Sequence, residues 1–225
     1  MKDKKGPFQE WFDDGQLAIL ETFKNGVKEG ASKKWYREGK PKLSANYLEG
    51  KLQGTYEEWF PNSQLKISNE YLKGMRHGWS RRWDESGNLL FEAQYHQDIP
   101  VGTVQEWYPG NILKRITHYK DGKLSGLEET FWPDGKKASS QTYKNGNLDG
   151  LLMSWYEDGS LHQEYCYKNG VRVGIGKEYY SKEEPNSNQQ ISRLLNFVEG
   201  KLHGEQKVFI PMAIQNRSSF TTMEY

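Results

Sequence analysis

Five histidines, one cysteine and a handful of acidic pairs are the residues of this 225-residue chain whose types could support chemistry. His77 and His203 each stand directly before a glycine, while His96, His118 and His162 fall at unrelated places. No two of them have metal-ligand spacing, and Cys166 has no spaced partner, so neither a zinc site nor an intrachain disulfide is expected. Glu57-Glu58, Glu128-Glu129 and Glu183-Glu184 are sequence neighbours. On a strand such neighbours point to opposite faces, so they do not form a general acid/base dyad. The glycines sit at turn spacing with no helix behind them, which excludes a phosphate cradle. No catalytic residue, cofactor or metal is expected. The chemistry that does recur is aromatic: Trp35, Trp59, Trp83, Trp107, Trp155 and Tyr179 occupy equivalent places. Rows of large rings supply binding area at low entropic cost and favour interface hot spots, so these six residues are the candidate partner-binding set.

What places them in register is a repeat. Glycines stand at 6, 30, 54, 78, 102, 126, 150 and 174, each 24 residues from the last, and a ninth follows at 204. Tyr143–Gly150 shows the motif, aromatic-x-x-Gly-x-x-x-Gly, which returns at Phe23, Tyr47, Tyr71, Tyr119, Tyr167 and Phe197. Tyr95 starts a version with Asp98 at the inner glycine. A fixed period of this size marks a repeat array. With each leading glycine as position 0, position 5 carries the Trp row, continued by Trp11, Phe131 and Phe209. Position 6 carries Phe12, Tyr36, Phe60, Asp84, Tyr108, Trp132, Tyr156 and Tyr180. Positions 8 and 9 are Asp14-Gly15, Asp134-Gly135 or Asp158-Gly159, and positions 19 and 20 are Asn25-Gly26, Asn145-Gly146 or Asn169-Gly170. Asn-Gly and Asp-Gly between short runs are hairpin signals, so each unit is read as two antiparallel strands.

Two-residue turns at both places fix a register. Position 0 then faces position 17, position 6 faces position 11, and position 17 faces position 22. The glycine leaves room for the position-17 ring. One face carries the glycines, the position-6 and position-17 aromatics and the position-11 leucines; the other carries the position-5 Trp row among polar residues. The series Glu10, Lys34, Glu58, Arg82 and Glu106 at position 4 would help hold the stack by alternating charge. Two strands per unit give about sixteen strands in a ribbon on the order of 75 Å long before twist.

Net charge is +1, which removes any electrostatic case for a nucleic-acid partner. The opening Met-Lys-Asp-Lys-Lys-Gly has no apolar run behind it, and no stretch suits a bilayer span, so a cytoplasmic protein without a stable membrane anchor is expected. The eighth unit is six residues longer, the surplus lying in the polar loop 181–190. The array runs over 1–210, and 211–225 is read as a C-terminal cap or tail. Exposed edge strands would allow a homo-oligomer.

Tyr-Lys-Asn-Gly-x-Leu-x-Gly, followed by Trp-Tyr-x-Asp-Gly-x-Leu, resembles the MORN repeat in its bacterial variant form. Gly-Lys-Leu-His-Gly at 200–204, Gly-Met-Arg-His-Gly at 74–78 and Gly-Lys-Leu-Ser-Gly at 122–126 carry the same likeness. The resemblance implies an all-β, elongated single-layer antiparallel β-meander of about eight 24-residue hairpin repeats, without catalysis. It also implies a protein partner. Chains built wholly of the variant repeat are similar to a group labelled antitoxins or immunity proteins, so a cognate toxin is the expected partner. A lipid-associated scaffold and a carbohydrate-binding module are the alternative expectations.

Overall fold

The computed structural model describes residues 5–184 and 190–210. All regular elements among them are strands, and every strand pairing is antiparallel. The chain divides after Asn111 into two units. The first holds β1 (Gly6–Trp11), β2 (Leu17–Lys24), β3 (Val27–Trp35), β4 (Pro41–Leu48), β5 (Lys51–Leu52), β6 (Gly54–Trp59), β7 (Leu65–Leu72), β8 (Met75–Trp83), β9 (Leu89–His96) and β10 (Ile99–Tyr108). The second holds β11 (Ile112–Lys120), β12 (Lys123–Leu124), β13 (Gly126–Phe131), β14 (Lys137–Lys144), β15 (Asn147–Trp155), β16 (Leu161–Lys168), β17 (Val171–Tyr179), β18 (Ile191–Val198), β19 (Lys201–Leu202) and β20 (Lys207–Val208). Within each unit, chain neighbours are sheet neighbours, which makes each a single-layer β-meander. The short β5, β12 and β19 are the leading ends of strands that the motif glycine interrupts, which is why twenty strands replace the expected sixteen or so.

The position-19/20 turns follow expectation in every unit. Asn25-Gly26, Glu49-Gly50, Lys73-Gly74, Gln97-Asp98, Asp121-Gly122, Asn145-Gly146, Asn169-Gly170 and Glu199-Gly200 all have positive φ at both residues. That is the type I′ geometry, whose twist matches the flanking strands. The closing pairs Phe23↔Lys28, Tyr47↔Leu52 and Tyr71↔Arg76 place position 17 opposite position 22. Several of these turns also dock on their predecessors: the Gly50, Gly74, Gly146 and Gly170 amides donate to the carbonyls of Lys28, Leu52, Leu124 and Leu148 at 2.7–2.9 Å. Lys73 (φ 53) and Gln97 (φ 52) hold the left-handed region without the local side-chain help Asn provides. Lys73→Asn and Gln97→Asn are each expected to raise Tm by roughly 2 °C, measured by thermal melting.

In six units the position-8/9 turns differ from expectation, whereas Gly110-Asn111 has the expected positive φ at both residues. Phe12 N–H donates to Gln16 O at 2.8 Å and Gly15 N–H to Phe12 O at 2.9 Å, and only Gly15 (φ 82), not Asp14, has positive φ. This is a three-residue loop, a type I turn closed by a left-handed residue, repeated at Tyr36, Phe60, Asp84, Trp132 and Tyr156, with glycine in the closing place except at Ser63 (φ 71). Asp14 does not enter the left-handed region. Its carboxylate instead accepts from Gln16 N–H at 3.0 Å, as Asp134 does from Lys136 and Asp158 from Ser160. The added residue shifts the ladder, so Trp11 pairs with Leu17, Trp59 with Leu65 and Trp83 with Leu89. The position-11 leucine is thus the cross-strand partner of the position-5 ring, not of the position-6 ring.

The leading glycine also serves another purpose than expected. Gly6 does lie opposite Phe23, and Gly54 opposite Tyr71. Yet a Cβ on Gly6, Gly54 or Gly174 would meet nothing within 4 Å. Room for the ring is therefore not the reason. The reason is φ of +81, +77 and +70, and at Gly54 and Gly174 it falls in a bulge where the glycine-bearing strand carries two extra residues against its neighbour.

Apart from Ser160 and Phe197, the most buried side chains among the described residues form a line no hydropathy pattern marks. They occupy positions 2 and 15: Ser32 and Ala45, Ser80 and Ala93 in the first unit, Thr117, Glu128 and Tyr165 in the second, all at most 6% exposed. Position 22 fills the slots between the position-17 rings. Lys28 Nζ sits 5.0 Å from the Tyr47 centroid, Arg76 3.9 Å from Tyr95, and Arg172 5.4 Å from Phe197. Elsewhere the slot holds leucine, as at Leu52 and Leu148. These position-17 rings are architecture.

The alternating charges of position 4 do not hold the stack by direct pairing. Glu10, Lys34, Glu58 and Arg82 are each separated by an intervening strand, about 9.6 Å apart at ordinary strand spacing. Glu58 accepts from the Tyr56 hydroxyl, and the Arg82 guanidinium lies 4.6 Å from the Phe91 centroid.

Candidate functional site

The position-5 residues stand where a strand meets the three-residue loop. Trp35, Trp59 and Trp83 close β3, β6 and β8, and Trp107 is next to last in β10. In the second unit Trp155 and Tyr179 close β15 and β17. All six are half-buried, while Trp11 is 54% exposed. Each unit therefore has its own ring row, four residues in the first and two of the six in the second.

Position 6 explains how the row is held. The hydroxyl of Tyr36 donates to the carbonyl of Trp59 at 2.7 Å, Tyr156 to Tyr179 at 2.9 Å, and Tyr180 to Phe209 at 2.7 Å. Each such tyrosine ties one hairpin to the ring-bearing residue of the next. Burial raises the Tyr36 and Tyr156 phenols above their ordinary range, with nearby carboxylates adding to it, so both stay donors. Lys42 and Lys66 lie 5.4 Å over the Tyr36 and Phe60 rings.

The neighbours of the ring row on its own face are charged and paired. Arg81 meets Glu92 at 2.6 Å, Lys137 meets Glu129 at 2.5 Å, and Lys177 pairs with Glu164. Lys137 Nζ also lies 5.7 Å from the Trp155 centroid, and the Tyr179 hydroxyl donates to Glu164 at 3.1 Å. Rings set among satisfied ion pairs present flat apolar area without unpaired charge, an arrangement suited to a protein surface.

The remaining chemistry-bearing residues are dispersed. The His77 and His96 rings stack at 4.7 Å with the buried His77 Nδ1 unpartnered. His162 packs on Tyr156 at 4.4 Å, His118 Nδ1 contacts the Leu127 carbonyl at 2.7 Å, and Cys166 is exposed. Among the described residues no group of three or more His, Cys, Asp or Glu side chains could hold a metal ion.

The long loop of 181–190 is tied at its root. Tyr180 N–H donates to Gln190 O at 3.0 Å, the same closure as in the other units, so the added residues enlarge the loop without moving Tyr179 off Ile191. Asp158 anchors it, accepting from Ser160 Oγ at 2.5 Å, Ser181 Oγ at 3.0 Å and Lys182 N–H at 3.1 Å. The Ser160 hydrogen bond, with the others, holds its carboxyl down at about 2. Residues 185–189 and the tail read as a cap, 211–225, lie outside the described residues.

Repeated hairpins, ring rows and struts define an all-β repeat protein. Its repeats are similar to a known family: residues 4–25, 76–97, 100–121, 124–145 and 148–169 match the MORN repeat variant. MORN repeats are generally protein- or lipid-binding elements of a non-catalytic kind. Between the matched stretches, β3 to β7 repeat the same registers although Glu38-Gly39 and Asn62-Ser63 replace Asp-Gly. No curated protein matches the chain. Among the described residues no helix is long and apolar enough to cross a membrane.

Proposed function

We propose that this protein is a non-catalytic binding array that holds one cognate protein through its position-5 rings, and that the partner is a toxin it neutralises. The observation that carries the reading is the position-5 row: half-exposed Trp and Tyr side chains, fixed at strand ends and bordered by satisfied ion pairs. Rigid rings lose little entropy on binding, which suits a tight, specific contact. The similarity to the MORN repeat variant, a repeat of binding proteins, supports the binding part; the toxin is the narrower proposal that the test below must carry.

The test is the double substitution Trp59→Ala/Trp107→Ala. The account expects a folded chain, by far-UV circular dichroism, whose affinity for the partner falls by about 100-fold or more, since aromatic hot spots each contribute roughly 2 kcal/mol. A folded variant that binds as wild type would remove the ring row from the interface.

A further inference from the structure

The face opposite the Trp row carries a second periodic feature, confined to the first unit. The pairs Glu10↔Ile19, Ile19↔Lys34, Lys34↔Leu43, Leu43↔Glu58, Glu58↔Ile67, Ile67↔Arg82 and Arg82↔Phe91 form one continuous row across the strands. Directly opposed residues share a face, so these side chains stand in line. The row alternates charged and apolar, and its charges alternate in sign. None of its members is buried, and Glu10 and Arg82 are exposed. Among the described residues Glu10, Lys34, Glu58 and Arg82 have no ion-pair partner, in contrast with the pairs Lys28–Glu21 and Arg81–Glu92 in the same unit. The equivalent row of the second unit, Arg115, Thr130, Ser139, Ser154, Gln163, Glu178 and Arg193, is polar throughout. Its polar groups are partnered, Thr130 with Ser139 at 2.7 Å and Arg193 with Glu178 at 3.4 Å inside the row, and Arg115 with Glu128 at 2.9 Å beside it.

From this self-complementarity we infer that the first unit docks face to face on a second copy of itself, with a two-fold axis at Leu43. A two-fold contact brings residue i of one copy to residue j of the other and the reverse. With the axis at Leu43, Lys34 meets Glu58 of the other copy twice, Glu10 meets Arg82 twice, Ile19 meets Ile67, and Leu43 meets itself. Every charge then faces its opposite and every apolar residue an apolar one. An axis at Glu58 would oppose like charges. An axis at Ile67 would instead set Lys34 against Glu106 and Glu58 against Arg82, and there a mixture of Lys34→Glu and Glu58→Lys chains would not regain the dimer. Packed twisted sheets cross at roughly 30°, so the contact is densest at Leu43, Lys34 and Glu58. Such an interface is small, and the dimer weakens as salt rises.

Sedimentation of the full chain over a concentration series tests it. Wild type is expected to dimerise reversibly, and Lys34→Glu or Glu58→Lys alone to weaken the dimer roughly tenfold or more. The decisive arm mixes the two variants. One then offers Glu at both places and the other Lys at both, so an equimolar mixture regains the dimer as a heterodimer although neither variant forms it alone. Wild type that stays monomeric at ~100 μM, a concentration that would populate even a weak micromolar dimer, would overturn the inference. So would single variants that dimerise normally, or a mixture of folded variants that stays monomeric. Should either variant lose its far-UV spectrum, Glu10→Lys and Arg82→Glu, at exposed positions, give the same mixing test with the same two readings.

Discussion

Gly176→Ala is expected to destabilise the second unit by roughly 2–3 kcal/mol, through overpacking of a filled site. Gly176 is buried at repeat position 2, where other units hold side chains as large as Tyr56 or Leu152. Its φ is not in the left-handed region, so conformation is not the reason for glycine there. A Cβ would lie 2.3 Å from Tyr165 Cε1 and 2.4 Å from Cδ1. Tyr165 cannot yield cheaply. It is 2% exposed, its ring meets Phe197 edge-on at 5.9 Å, Arg172 lies 4.2 Å over its face, and its hydroxyl donates to Glu178 at 2.6 Å. Burial, with the Glu178 bond, pushes its phenol up to about 12. The large ring at position 15 is matched by the missing side chain at position 2. Chemical denaturation should show the loss, and in a double-mutant cycle Gly176→Ala should cost almost nothing once Tyr165 is alanine. Additive costs would mean that the clash is relieved elsewhere.

Glu128→Ala should cost about 2–3 kcal/mol, the loss of one partner from a buried charged cluster. Glu128, 5% exposed, accepts from Arg115 at 2.9 Å, the Thr117 hydroxyl at 3.2 Å and Gln141 at 2.7 Å. Alanine leaves Thr117, 2% exposed, and Gln141 without this acceptor. Arg115 is 38% exposed at its side chain and regains water, which keeps the cost below that of a fully buried pair. Glu128→Gln keeps one acceptor oxygen and should lose less than half as much in the same denaturation experiment. Equal losses would assign the effect to shape rather than hydrogen bonding.

The two turns of the repeat show how far the residues speak for the structure. Asn25-Gly26 could be read directly, because both residues tolerate positive φ and the strands on either side demand a primed turn. Asp14-Gly15 could not, because the same dipeptide also ends a three-residue loop in which only the glycine is left-handed. One added residue then moved Leu17 from Phe12 to Trp11. The buried line was invisible for another reason. Ser32, Ala45, Ser80 and Ala93 are small and in part polar, so their own hydropathy does not mark them as the buried line. A signal was present: positions 2 and 15 are cross-strand partners that both hold small residues in two units of the first half. The Trp row was legible as a row from its spacing alone. That its strand ends are held by the position-6 hydroxyls was not, since the bond runs between hairpins 23 residues apart.

The central claim, that the ring row holds one cognate protein, is tested most directly by affinity purification of the chain from its native cells, with the Trp59→Ala/Trp107→Ala variant processed in parallel. The account predicts one stoichiometric protein on the wild-type chain, toxic when expressed alone, and absent from the folded variant. Recovery of lipid alone, or of a protein held equally by both chains, would contradict it and leave the ring row as architecture.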